Sequence, residues 1–140
     1  MNSIGRFARI ALVVILGATV SAAPPTWSTE NEVVIRATAV EPHVLLTVAG
    51  QRVTFVKRVD RPVHVEFGED PARHHVFQVP HKGLIWAIFH RPGTHSYVVH
   101  IYDGGKTTVL HGVVEVQESP ERPWGLGTCG AVVMEECVEP

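Results

Sequence analysis

At 140 residues the chain is long enough for one domain with tails and short for two. Twelve Lys and Arg stand against fourteen Asp and Glu. They form no clustered basic patch, which excludes the electrostatic footprint of a nucleic-acid-binding protein.

Residues 1–22 read as a secretory signal peptide. Arg6 and Arg9 give a positive n-region, residues 10–20 (IALVVILGATV) an apolar run, and Ser21, Ala22 and Ala23 a small-residue cleavage site. Cleavage is expected after Ala22, because cutting one residue later leaves Pro24 first. The run falls short of the roughly 20 apolar residues that a membrane span needs, so the mature chain is expected to have none and to be periplasmic or secreted. An uncleaved N-terminal anchor is the alternative. Losing Arg6 and Arg9 brings the mature net charge to −4, all of it carried by five Glu and one Arg from residue 118 onward. The part between is near neutral.

Residues 23–30 (APPTWSTE) form a Pro-rich polar lead-in, expected to be poorly ordered. Residues 31–117 carry the domain. Apolar and β-branched runs recur there between Gly, Pro and Asp punctuation, which predicts strands at 32–40, 44–48, 52–58, 63–67, 75–79, 84–90, 95–102 and 107–116. In residues 52–58, Val53, Phe55 and the stem of Lys57 fall on one face. A turn is expected at 68–71, and Asp103-Gly104-Gly105-Lys106 reads as a hairpin turn. No window shows capped helical periodicity. The expectation is an all-β sandwich of seven or eight strands. Residues 118–140 read as an acidic Pro/Gly-rich tail. It holds Trp124, a possible anchor to the domain or to a partner, and the chain's two cysteines, Cys129 and Cys137. In an exported protein such a pair is expected to be a disulfide, worth roughly 2–3 kcal/mol locally. A metal site with Met134 between the cysteines is the alternative.

Three stretches resemble cupredoxins of the plastocyanin and amicyanin type. Residues 41–56 (EPHVLLTVAGQRVTFV) are similar to the family's opening Pro, alternating strand, Gly and Val-x-Phe strand. Residues 61–67 (RPVHVEF) are similar to the segment that presents the first copper histidine, here His64. Residues 89–116 (FHRPGTHSYVVHIYDGGKTTVLHGVVEV) are similar to the Pro-Gly turn, aromatic strand, ligand loop and closing Gly-x-Val-x-Val strand. The resemblance implies a Greek-key cupredoxin-like sandwich. It also exposes a departure. A type 1 copper site needs a thiolate, two imidazoles and usually an axial thioether. Counting from Gly93, the cysteine position is Val99; counting back from Gly112, the methionine position is Leu110. No histidine lies in residues 102–109. Of the family's ligands, the resemblance leaves only His64, and blue-copper electron transfer is not implied.

The nine histidines, His43, His64, His74, His75, His81, His90, His95, His100 and His111, all fall between residues 43 and 111. Neutral imidazole ligates copper, zinc and nickel, and a thiol-free histidine site in an oxidising space favours Cu(II). His64 is the leading candidate ligand. His100 and His111 each lie one residue past a lost ligand. One step along a strand reverses the face, so they are expected to point out of the old pocket unless a bulge re-aims them. There they could meet each other or His64. His75, with His74, and His95 are secondary candidates; for His95 the alternative is a packing role.

No Gly-x-Ser-x-Gly elbow and no phosphate-binding Gly loop is present. Glu66, Glu69, Asp70 and Asp103 form no evident acid pair, and the chain is not read as an enzyme. Two functions stay open. One is an exported copper-binding protein for storage, trafficking or delivery. The other is a metal-free interaction module serving an envelope protein partner.

Overall fold

The computed structural model of the chain describes residues 31–68, 75–81, 83–121 and 129–138. The expected signal peptide, the lead-in, residues 69–71 of the expected turn, His74 and Trp124 lie outside the described residues. Eleven strands and no helix form among those described: β1 (Glu32–Ile35), β2 (Val40–Glu41), β3 (Val44–Val48), β4 (Arg52–Lys57), β5 (Val63–Phe67), β6 (His75–Val79), β7 (Leu84–Phe89), β8 (Gly93–Asp103), β9 (Lys106–Gln117), β10 (Ala131–Val133) and β11 (Glu136–Val138). One sheet runs β11-β10-β7-β4-β1-β2 and the other β3-β9-β8-β5-β6. β4 pairs with β7 and β5 with β8, so nearest neighbours are reached by crossing between the sheets, as in a Greek key. The expected all-β sandwich is the observed architecture.

Period-2 patterning produces this arrangement. In β4, Val53, Phe55 and Lys57 turn inward, and in β5, Val63, Val65 and Phe67 do. In β8 the inward set is His95, Tyr97, Val99 and Ile101. The two inner faces meet in a core centred on aromatic rings. Phe55 packs edge-on against Phe67 at 5.4 Å and against Tyr97 at 5.0 Å between centroids. Such pairs add about 0.5–1.5 kcal/mol each beyond the area they bury.

Tyr97 fills the position directly across from Gly112. Its ring lies where a Cβ on residue 112 would stand, so only glycine fits. Its hydroxyl is buried and has no hydrogen-bond partner among the described residues. Burial also pushes the phenol well above its ordinary ionisation range. Tyr97→Phe is therefore expected to raise stability by about 1 kcal/mol, because it removes an unsatisfied buried hydroxyl and keeps the ring. The sign with pH follows: a raised folded-state value preserves stability below the unfolded phenol value of about 10 and loses it above. Urea unfolding of the wild type should weaken more steeply above that pH than unfolding of Tyr97→Phe.

Two boundaries differ from expectation. The predicted strand at 32–40 is broken: the Arg36 N–H bonds to the Ala39 carbonyl at 2.9 Å, and β2 turns back antiparallel on β1. The exposed Arg36–Glu41 ion pair, 2.6 Å, spans that bend. The domain also does not end at 117. β10 pairs with β7, Ala131 opposite Phe89, and β11 folds back on β10. Ala131, Val133 and Val138 add buried side chains to the core. The expected disulfide, Cys129–Cys137, is present, with Cα atoms 5.9 Å apart. That removes the alternative of a metal site between these cysteines.

Candidate functional site

The position of the lost thiolate is core. Val99 stands opposite Val65 on one side and Leu110 on the other. Val65 and Val99 are fully buried, and Leu110 packs against the same core. The β8–β9 ladder is unbroken from Gly93 opposite Val116 to Asp103 opposite Lys106, so no bulge re-aims its side chains. It closes through Gly104 and Gly105 at φ 52° and 102°, a conformation that suits glycine. A copper ion of the type 1 kind does not fit here. Val65, Val99 and Leu110 offer no donor atom, and both cysteines are consumed in the disulfide.

The strand alternation that buries Val99 sends His64 and His100 to the other face of the same sheet. They sit directly opposite each other on β5 and β8. Directly opposed residues have Cβ atoms about 4.5–5.5 Å apart. The His100 Nε2 lies 2.9 Å from Glu66 Oε2, both side chains about a quarter exposed. Tyr102 adjoins both imidazoles, its ring centroid 5.0 Å from that of His64 and 6.5 Å from that of His100. Glu66, His64, His100 and Tyr102 share this outer face because they share strand parity on β5 and β8. Sequence reasoning missed the roles of Glu66 and Tyr102. The signal for both was that parity, but it becomes usable only once the β5–β8 register is known.

His64 therefore does not preserve the family's copper site. It and Val99 lie on opposite faces of one sheet, out of reach of a shared ion, and the inward neighbour on β5 is Val63. His111 shares the outer face but stands opposite Val98, diagonal to His100. His75 is not with them. Its Nδ1 lies 3.1 Å from Glu136 Oε1, and it links the β6 edge of one sheet to β11, the edge of the other. His95 points into the sandwich, 6% exposed, its ring tilted against Phe89 at 5.0 Å, with Nε2 donating to the Arg91 carbonyl at 2.7 Å. Its packing role is the one realised. Of the five expected ligands, the structure brings His64 and His100 together, leaves His111 one row away and separates His75 and His95. Among the described residues no group of three or more His, Cys, Asp or Glu side chains is placed to hold a metal ion. Nor is any helix among them long and apolar enough to cross a membrane.

No protein-family model matches the chain, and no curated protein sequence matches it. Solved structures do. A copper-containing nitrite reductase from Thermus scotoductus SA-01 is 18% identical over 64% of this chain and 23% of its own, with a TM-score of 0.50. A methionine-to-alanine variant of amicyanin in its Cu(I) form is 22% identical over 63% of this chain and 82% of its own, with a TM-score of 0.49. A proline-to-glycine amicyanin variant, also Cu(I), is 20% identical over 69% and 87%, again with a TM-score of 0.49. At these identities the likeness speaks to fold alone. The two-sheet topology and the nitrite reductase match agree: the chain has a cupredoxin-like fold, with no cysteine at the position of a copper thiolate.

Proposed function

We propose that this is an exported protein that holds a divalent metal, Cu(II) by intrinsic preference, on the outer histidine pair, for storage or delivery and not for blue-copper electron transfer. The observation that carries the reading is His64 directly opposite His100, with Glu66 on the His100 Nε2. A carboxylate on one ring nitrogen fixes tautomer and orientation and leaves the other nitrogen for an ion. Two imidazoles with water completing a tetragonal N,O set suit Cu(II). Export is supported by the signal-like N-terminus and by the disulfide, which suits an oxidising compartment.

Titration of the metal-free protein with Cu(II), read by the visible d–d bands, tests this. His64→Ala and His100→Ala are each expected to abolish saturable binding. Glu66→Gln should weaken it by roughly 10–100-fold, the usual cost of losing a ligand's hydrogen-bond partner. His75→Ala should leave it unchanged. Stoichiometric binding that survives in His64→Ala would remove the pair from the site.

A second reading is a metal-free interaction module acting as an accessory or assembly subunit of an envelope complex. It is favoured by the apolar Val99 and Leu110, and by five exposed apolar residues on the face that carries the pair: Val44, Leu46, Val76, Tyr102 and Val109. Metal analysis of protein purified from its native envelope, together with pull-down, separates the two.

A further inference from the structure

A charged cleft at the end of the sandwich, where β4 ends and β5 begins, uses side chains other than the histidine pair, although its Gln78 stands opposite His64. Lys57 takes the inward position after Val53 and Phe55, so its stem is buried, and the whole residue is 7% exposed. Its ammonium donates one hydrogen bond, to the Arg61 carbonyl at 2.9 Å. An ammonium has three donors. Among the described residues no carboxylate pairs with it. Asp60 lies 3.5 Å from His81 Nδ1, and Asp103 lies 3.0 Å from the Arg61 guanidinium. Lys57 lines an open cleft of about 200 Å³ with Asp60, Arg61, Pro62, Gln78, Val79 and His81. A lobe of about 220 Å³ beside it adds Arg58. Three cationic side chains, Lys57, Arg58 and Arg61, thus line the concavity against one carboxylate, Asp60, while Arg61 also pairs with Asp103.

We propose that this cleft binds a small oxyanion, either the carboxylate of an organic acid or inorganic phosphate, with the Lys57 ammonium as its counter-charge. Lys57 supplies two further donors, the amide of Gln78 another, and the Arg61 guanidinium, bridged through one nitrogen to Asp103, the rest of its N–H donors at the rim. The buried stem of Lys57 holds the ammonium in place before the ligand arrives, which lowers the ordering cost of binding.

Titrating isotope-labelled protein with sodium acetate, and separately with sodium phosphate, against sodium chloride at equal ionic strength tests this by amide chemical shift. Saturable shifts clustered at residues 57–61 and 78–81 are expected. Saturation with acetate alone assigns an organic acid; saturation with phosphate alone assigns phosphate. Lys57→Met should abolish saturation. Arg61→Gln keeps the carbonyl that Lys57 uses and should weaken binding roughly tenfold, the worth of one charged hydrogen bond; it serves as the probe if Lys57→Met does not fold. The proposal is overturned if neither anion gives saturable shifts, if the shifts cluster elsewhere, or if both variants respond as the wild type does.

Discussion

Gly112→Ala is expected to destabilise the protein by about 3 kcal/mol or more, at the upper end of what overpacking a core costs. The added methyl would overlap the Tyr97 hydroxyl and Cζ. The ring has nowhere to go: Phe55 meets it edge-on at 5.0 Å and Phe67 lies 6.3 Å away. Nor can the backbone yield, because Gly112 sits in the middle of the longest ladder in the fold. Urea unfolding measures the cost. In a Tyr97→Val background the same substitution should cost far less, and that non-additivity would identify the ring as the cause. A cost under about 0.5 kcal/mol in the wild type, the range of an ordinary surface change, would mean that the ring does not lie over Gly112.

Replacing both cysteines by serine is expected to cost about 2–3 kcal/mol, the cross-linking entropy of so short a loop. The loss should concentrate in the tail hairpin. β10 and β11 have three residues each, and two short strands do not hold together alone in water. The turn between them works against them, since Met134 and Glu135 carry φ 48° and 73°, where side chains with a Cβ are disfavoured. What holds the hairpin is the disulfide, the pairing of β10 with β7 and burial of Ala131, Val133 and Val138. Hydrogen exchange at His90 and Met134, whose amides bond to Gly130 and Trp86 carbonyls, should accelerate in the serine variant. The central β8–β9 ladder should stay protected. Equal stability of the two proteins would show that the tail docks without its cross-link.

These particulars also show what the sequence could and could not reveal. Strands β3 to β9 were legible because each is a run rich in apolar and β-branched residues fenced by Gly, Pro or Asp. The break between β1 and β2 was not, because residues 36–39 contain neither Gly nor Pro. The tail hairpin was hidden for two reasons: three-residue strands are too short to show a period, and its turn uses Met-Glu where Asn-Gly would be the signal. At the site, counting from Gly93 located Val99 correctly as an apolar, inward position. The resemblance placed His64 beside it, and strand parity overruled that, with Val63 turned inward instead. The partnership of His64 with His100 depends on which residue of β5 faces which residue of β8. That register is set by long-range packing such as Val63 against Ile101 and Val65 against Val99, and no local spacing encodes it.

Paramagnetic broadening of amide signals by a small amount of Cu(II) tests the central claim most directly, because it locates the ion on one face of one sheet. Signals from His64, Glu66 and His100 should vanish first, with Tyr102 close behind, while those around His75 and His95 persist. Broadening centred on any other histidine, or an intense thiolate-to-copper absorption on adding the metal, would contradict the account.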